Sequence, residues 1–229
     1  MTLNKEYGKP RVGQTGCYTY INEFGRDSLR MILECMPYRK YAVPDLYCPI
    51  IVELMDTLHI EYELYHIDEN MAIDWDSVSD IDYDVFYHIR YGDALVVLED
   101  KILLEDNVFH KDFKLYNPKH IAFNSWRKCT ALTCGSLIKS TMKLKESYWK
   151  LPPEQLALLL SCDETQYEHY LVNDRDAVQA ELANHKIYLP VFWRGCPNEI
   201  SEKIISIPID NRYTHTESEF VKGLICQYQ

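Results

Sequence analysis

The order of apolar segments along the chain predicts an α/β fold, a mixed sheet flanked by helices, followed by a small α+β subdomain at the C-terminus. Three observations carry that expectation. Tyr41-Ala42-Val43-Pro44 reads as a short buried strand, Ile50 to Leu58 as a helix, and Tyr62 to Ile67 as a second strand; this spacing is that of a parallel crossover unit. Another apolar run, Ile121-Ala122-Phe123, leads straight into Asn124-Ser125-Trp126-Arg127-Lys128. The composition then changes over Lys143 to Pro153, where lysines and paired prolines interrupt the pattern, placing a boundary between parts spanning 1–145 and 146–229.

Taken in order, Glu23-Phe24-Gly25-Arg26-Asp27-Ser28 opens a helix whose apolar face is Leu29, Ile32, Leu33 and Met36. Gly25 supplies a tight turn and Asp27 or Ser28 an N-cap; the same N–H groups could receive an anion or simply be capped. Residues 68–84 are crowded with acids. Asp80-x-Asp82-x-Asp84 begins like a calcium loop, but Val85 stands where such a loop needs glycine and Tyr91 where it needs glutamate, so a solvated acidic loop is the better account. Val85 to Arg90 and Ala94 to Leu98 are both strand-like, and the gap Tyr91-Gly92-Asp93 is too short for a parallel crossover. They should form an antiparallel hairpin, or one lies outside the main sheet. Glu99-Asp100 closes the second of them, at the strand end where open α/β sheets gather functional groups or as ordinary acids at a turn. In the C-terminal part, Asp174 to Ala183 reads as a helix, Ile187 to Trp193 as a strand or extended loop, Ile204 to Ile209 as a strand and Ser218 to Cys226 as a closing helix.

Composition excludes several functions. With 47% hydrophobic and 26% charged residues the 229-residue chain can bury a substantial core and is not disordered. A formal charge of -11, without a sustained basic run, argues against nucleic acid as a partner. Met1 to Gly8 has no apolar leader core, and no run approaches the roughly 20 apolar residues needed to cross a bilayer, so a cytoplasmic protein with no membrane partner is expected. Cysteines are scattered without a CxxC pair, which predicts reduced thiols and neither a disulfide framework nor a metal site.

The segment that most looks like chemistry is Ser125-Trp126-Arg127-Lys128, with Gly135 and the strand Ser136-Leu137-Ile138 just beyond. A lysine held past a strand end, with a hydroxyl three residues upstream, suits a pyridoxal phosphate enzyme, the amine for the cofactor's aldehyde and the hydroxyl for its phosphate.

In order, these segments resemble the DegT/DnrJ/EryC1/StrS sugar aminotransferases, which are fold-type I pyridoxal phosphate enzymes. Phe24-Gly25-Arg26-Asp27-Ser28-Leu29 is similar to the family's Ser-Gly-Arg-x-Ala phosphate segment, with Phe24 in place of serine. Val43-Pro44-Asp45-Leu46-Tyr47-Cys48 resembles its Leu-Pro-x-Tyr-x-Cys loop, and Val97-Leu98-Glu99-Asp100 its Ile-Glu-Asp strand end. Ser125 to Gly135 resembles Ser-x-Arg-Lys followed by Asp-Gly-Gly, with Cys134 replacing the aspartate. Asn173 to Asp176, Ile187 to Trp193 and Ile205 to Tyr213 follow in family order. The chain departs from the family in lacking a helical crossover between Gly92 and Val96 and two long helices between Lys143 and Tyr170.

The resemblance implies roles. Lys128 would carry the cofactor and move protons, and Asp100 would meet the pyridine nitrogen. Gly25, Arg26, Asp27, Ser28 and Ser125 would hold the phosphate, and Tyr47 or Cys48 would lie on the ring. Arg127 and Arg212 would meet substrate charge. The implied reaction is amino transfer from a donor such as glutamate to a keto sugar, nucleotide-linked, in surface polysaccharide or related sugar biosynthesis, by a homodimer. The alternative is a non-catalytic relative that keeps the fold as a binding or assembly module, with Lys128 on a surface loop.

Overall fold

Seven strands form the main sheet of the computed structural model, which describes residues 17–92, 94–145 and 147–229. The elements begin with β1 (Tyr18–Asn22), α1 (Gly25–Cys35), β2 (Lys40–Pro44), α2 (Ile50–Thr57), β3 (Glu61–Tyr65) and α3 (Trp75–Ser79). Next come β4 (Val85–Ile89), β5 (Ile102–Asp106), β6 (His120–Phe123), α4 (Trp126–Cys129) and β7 (Ser136–Ser140). The strand order is β1-β7-β6-β5-β4-β2-β3. Pairing is parallel from β6 to β3, whereas β7 runs antiparallel to both β6 and β1. The predicted α/β class with a mixed sheet therefore holds, and the β2–α2–β3 unit pairs in parallel as its spacing requires.

The central strands β4, β5 and β6 are buried along their whole length, which explains their mostly apolar character; His88, Glu105, Asp106 and His120 are the polar exceptions. Leu29, Ile32 and Leu33 of α1 and Ile51, Leu54 and Met55 of α2 pack into the same core, so the helical periodicity read from the sequence marks the buried faces.

The connection from β4 to β5 decides between the two expectations: there is no hairpin, and the second segment lies outside the main sheet. Ala94 to Leu98 is not a strand of the sheet; it is the crossover itself, running extended from β4 to a parallel β5. It reads as a strand because Val96 is buried and hydrogen-bonded like one, but its partner is a side chain. The Asn117 amide donates to the Val96 carbonyl at 3.1 Å and accepts from the Leu98 N–H at 2.7 Å.

The C-terminal part contains α5 (Pro153–Ser161), β8 (Gln166–Leu171), α6 (Arg175–Asn184), β9 (Ile204–Ile209) and α7 (His215–Ile225). Its two-stranded sheet pairs β8 with β9, antiparallel, and not the segment Ile187 to Trp193, which is irregular. Pro190 inside that segment cannot donate to a ladder. Alternation in β8 serves two cores: Tyr167 and Leu171 face the main cluster while Tyr170 joins a second one with Val178, Leu182, Ile205 and Ile207. In the stretch where the family resemblance expects long helices, α5 is the only helix among the described residues, and it buries none of its residues. Among the described residues no helix is long and apolar enough to cross a membrane, and all eight cysteines are free thiols. The segment Met1 to Gly8 lies outside the described residues.

Candidate active site

The turn from β6 to β7 is held at both ends before it presents Lys128. Buried Asn124 donates to the carbonyls of His110 and Lys111 at 3.0 and 2.9 Å and accepts the Leu137 N–H at 2.9 Å. The Trp126 indole donates to the Lys111 carbonyl at 3.0 Å, and its backbone N–H to that of Gly135 at 3.0 Å. Gly135 adopts φ +105°. With its backbone thus tied, Lys128 directs its ammonium over the Phe109 ring, 5.6 Å from the centroid, and its carbonyl accepts the Tyr167 hydroxyl of β8 at 2.8 Å.

Helix α1 enters from the other side. Phe24 is its N-cap residue, and the Asp27 carboxylate accepts the Phe24 N–H at 3.1 Å, the geometry of a first-turn cap. Gly25 lets the helix start press on Ser125: a Cβ there would lie 3.1 Å from Ser125 Cβ. Between α1, α2, β5 and α4 lies a cavity of about 540 Å³, lined among others by Gly25, Arg26, Asp106, Ser125, Arg127 and Lys128. A further cavity of about 370 Å³ shares Cys48, Arg127 and Lys128 and is walled by Tyr167, Phe192 and Trp193.

Several predicted site residues come together here and others do not. Gly25, Arg26, Ser125, Arg127 and Lys128 share the cleft. Asp27 is spent on the helix cap. Ser28 faces away, bonding Asn22 Nδ2 at 3.1 Å and Ser136 Oγ at 2.6 Å. Tyr47 is buried in the core, and its neighbour Cys48 takes the cleft. Arg212 lines neither cavity; its guanidinium is bound by the Asp210 carboxylate, with Nη2 at 2.5 Å. Asp100 lies in the exposed turn before β5, its carbonyl accepting Lys119 Nζ at 3.0 Å. That is the amino end of the parallel strands, about 20 Å of extended chain from the cleft.

The carboxylate in the cleft belongs to Asp106, at the carboxyl end of β5. The chain carries Leu-Glu-Asp twice, as Leu98-Glu99-Asp100 and Leu104-Glu105-Asp106. Only the second ends a sheet strand. The signal that separates them is the continuous apolar run Ile102-Leu103-Leu104, characteristic of a strand buried on both faces.

Burial pushes the Asp106 carboxyl up to about 6, against the attraction of Lys128, the Tyr87 hydroxyl at 2.9 Å and the Val108 N–H at 3.0 Å. Its neighbour Glu105 projects to the opposite face. Burial raises that carboxyl too, but the nearby His120 ring, 3.6 Å away, and hydrogen bonds from Asn107 and Tyr116 outweigh it and hold Glu105 at about 2. Arg26, Arg127 and Lys128 have no salt-bridge partner among the described residues, so a chain of net charge -11 presents a locally cationic cleft.

The strand order, with helices flanking a mostly parallel seven-stranded sheet, is that of the aminotransferase fold, and solved structures match it. The histidinol-phosphate aminotransferase from Clostridium acetobutylicum matches with a TM-score of 0.62 at 11% identity, covering 90% of this chain and 83% of that one. A DegT DnrJ EryC1 StrS aminotransferase from Brucella abortus matches with a TM-score of 0.60 at 11% identity, covering 92% and 85%. L-threonine-O-3-phosphate decarboxylase from Porphyromonas gingivalis matches with a TM-score of 0.56 at 9% identity, covering 90% and 82%. At such identities the likeness is one of fold. No protein-family model matches the sequence, and no curated protein matches it.

Proposed function

We propose that the chain binds pyridoxal 5'-phosphate in this cleft and transfers an amino group from a donor such as glutamate to a keto group. The acceptor we assign is a keto sugar, nucleotide-linked, as the sequence motifs imply, in surface polysaccharide or related sugar biosynthesis. The same motifs imply a homodimer, and we place it in the cytoplasm. The single observation that carries the reading is the meeting of Lys128, Asp106 and the start of α1 around one cavity.

The residues fit the group. Gly25 at the helix start, the Arg26 guanidinium and the Ser125 hydroxyl supply positive charge and donors for a phosphate. Asp106 supplies a buried carboxylate for a protonated ring nitrogen, and the cavity volume lies within the range of cofactor sites. When bound, the cofactor supplies a ring able to accept electrons from the substrate carbon. With the group bound, Lys128 would move the proton from the substrate carbon to the cofactor carbon that bore the aldehyde, and Arg127 would orient a substrate anion. Tyr167, Phe192 and Trp193 exclude water from the side facing Lys128.

Mixing the purified protein with pyridoxal phosphate, reducing with borohydride and sequencing the digest tests the reading. The expected result is a cofactor adduct on the Lys128 peptide, absent in Lys128→Ala. No adduct at saturating cofactor would sink it. One observation favours the second reading, a binding or assembly module without catalysis: Tyr47, the aromatic ring offered by the turn between β2 and α2, is buried in the core rather than facing the cleft. Ligand-dependent stabilisation that survives Lys128→Ala would support that reading instead.

A further inference from the structure

Behind Asp106, on the adjacent strand β4, stands Tyr87, whose side chain is fully buried and whose hydroxyl donates to Asp106 Oδ2 at 2.9 Å. In the β4–β5 register Tyr87 pairs with Leu104, so its ring reaches diagonally past one residue to meet the carboxylate. The strand under it is fixed from β3, two strands over in the same sheet, where the Tyr65 hydroxyl donates to the Tyr87 carbonyl at 3.1 Å. Tyr87 does not line the cleft and belongs to none of the motifs read from the sequence.

We propose that Tyr87 is a positioning residue: its buried phenol fixes one oxygen of Asp106 and keeps that carboxylate ionised for a cationic ring nitrogen. The proposal rests on the reading of the cleft as a pyridoxal phosphate site. A carboxylate in this place needs help to remain charged. Burial disfavours the anion, and Glu105 beside it on β5 opposes it further. Against them act Lys128 from α4, the Val108 N–H and the Tyr87 hydroxyl. Tyr91, just beyond β4, and Cys48 before α2 also face Tyr87. The Tyr87 phenol is itself held protonated far into the alkaline range by burial, so it remains a donor wherever Asp106 titrates. Being fully buried, the phenol cannot swing away as a surface donor would; it holds Oδ2 while the Val108 N–H meets Oδ1 at 3.0 Å, and each oxygen keeps acceptor capacity for a ligand.

The test is cofactor affinity as a function of pH, from about 5 to about 9, read by fluorescence quenching in wild type, Tyr87→Phe and Asp106→Asn. In wild type, affinity falls on the acid side as Asp106 takes a proton. Tyr87→Phe should move that acid limb upward by about one pH unit, weakening binding roughly tenfold there and little at the alkaline end. In the Asp106→Asn background the same substitution should change nothing. Should Tyr87→Phe fail to fold, 3-fluorotyrosine placed at position 87 supplies a stronger donor in the same space, and the limb should move the other way. An unmoved limb in either variant overturns the role of Tyr87 while leaving the cofactor site standing. Wild type that binds no cofactor at any pH overturns the site reading, and this proposal with it.

Discussion

Gly135 and Trp126 occupy one space: a Cβ on Gly135 would lie 2.5 Å from Trp126 Cε3, and the Gly135 carbonyl accepts the Trp126 N–H. Backbone at φ +105° compounds the steric demand. Gly135→Ala is therefore expected to cost about 2–4 kcal/mol, from backbone strain and overpacking together. Urea denaturation checks the loss. Because Trp126 begins the turn that carries Lys128, adduct formation on that lysine should fall as well.

Two Leu-Glu-Asp copies give a clean comparison at the site. Asp106→Asn should weaken cofactor binding roughly 10- to 100-fold at neutral pH, the worth of a charge-assisted hydrogen bond. Asp100→Asn, at the far end of the sheet, should leave affinity unchanged. Titration of both variants with pyridoxal phosphate decides it; equal losses would mean that Asp106 has no special place.

Without ligand, Asp106 is a stability burden, and the direction follows from its protons. Its carboxyl sits at about 6 in the folded protein against an ordinary 3.8. Between those values the folded state binds more protons than the unfolded one, so this group's contribution falls as pH rises from about 4 to about 6. Asp106→Asn should then stabilise the ligand-free protein at pH 7 by up to about 3 kcal/mol and give no such gain at pH 4. Denaturation midpoints at the two pH values provide the measurement.

Glu105 behaves in the opposite sense. Held at about 2 against an ordinary 4.5, it contributes stability that is present above about pH 4.5 and disappears as pH falls through about 2. Glu105→Gln should flatten the acid limb of the stability profile, costing about 3 kcal/mol at pH 7 and little at pH 2. A parallel acid limb in the variant would show that the His120, Asn107 and Tyr116 contacts do not hold the charge.

Tyr167 ties β8 to the turn that holds Lys128. Tyr167→Phe removes its hydrogen bond to the Lys128 carbonyl and should cost about 1 kcal/mol in thermal or urea unfolding.

Periodicity made much of this architecture legible. The helical face of α1, the β2–α2–β3 unit and the strand before Ser125 are repeated local patterns, and the structure follows them. Choices that depend on a distant partner were not legible. Ala94 to Leu98 has the composition of a strand, but its pairing partner is the amide of Asn117, which no local pattern announces. Tyr47 and Cys48 are adjacent, and only packing decides which faces the cleft. Arg212 has the chemistry of an anion ligand until Asp210, two residues away, occupies its guanidinium. For Asp106 the information was present in the apolar run before it, beside a near-identical copy that lacked the run.

The crossover between β4 and β5 bears on association between molecules. Val96 turns inward, leaving Leu95 at 56% and Val97 at 69% exposure on a segment that resembles an unpaired strand. Such a stretch invites association with a like stretch on another molecule. Glu99 and Asp100 follow at once, both exposed, and place negative charge at the end of the apolar run. Charge repulsion of that kind acts between molecules and requires no cleft. Asp100 thus has a physical occupation at the opposite end of the sheet from Lys128, as a guard on an open flank.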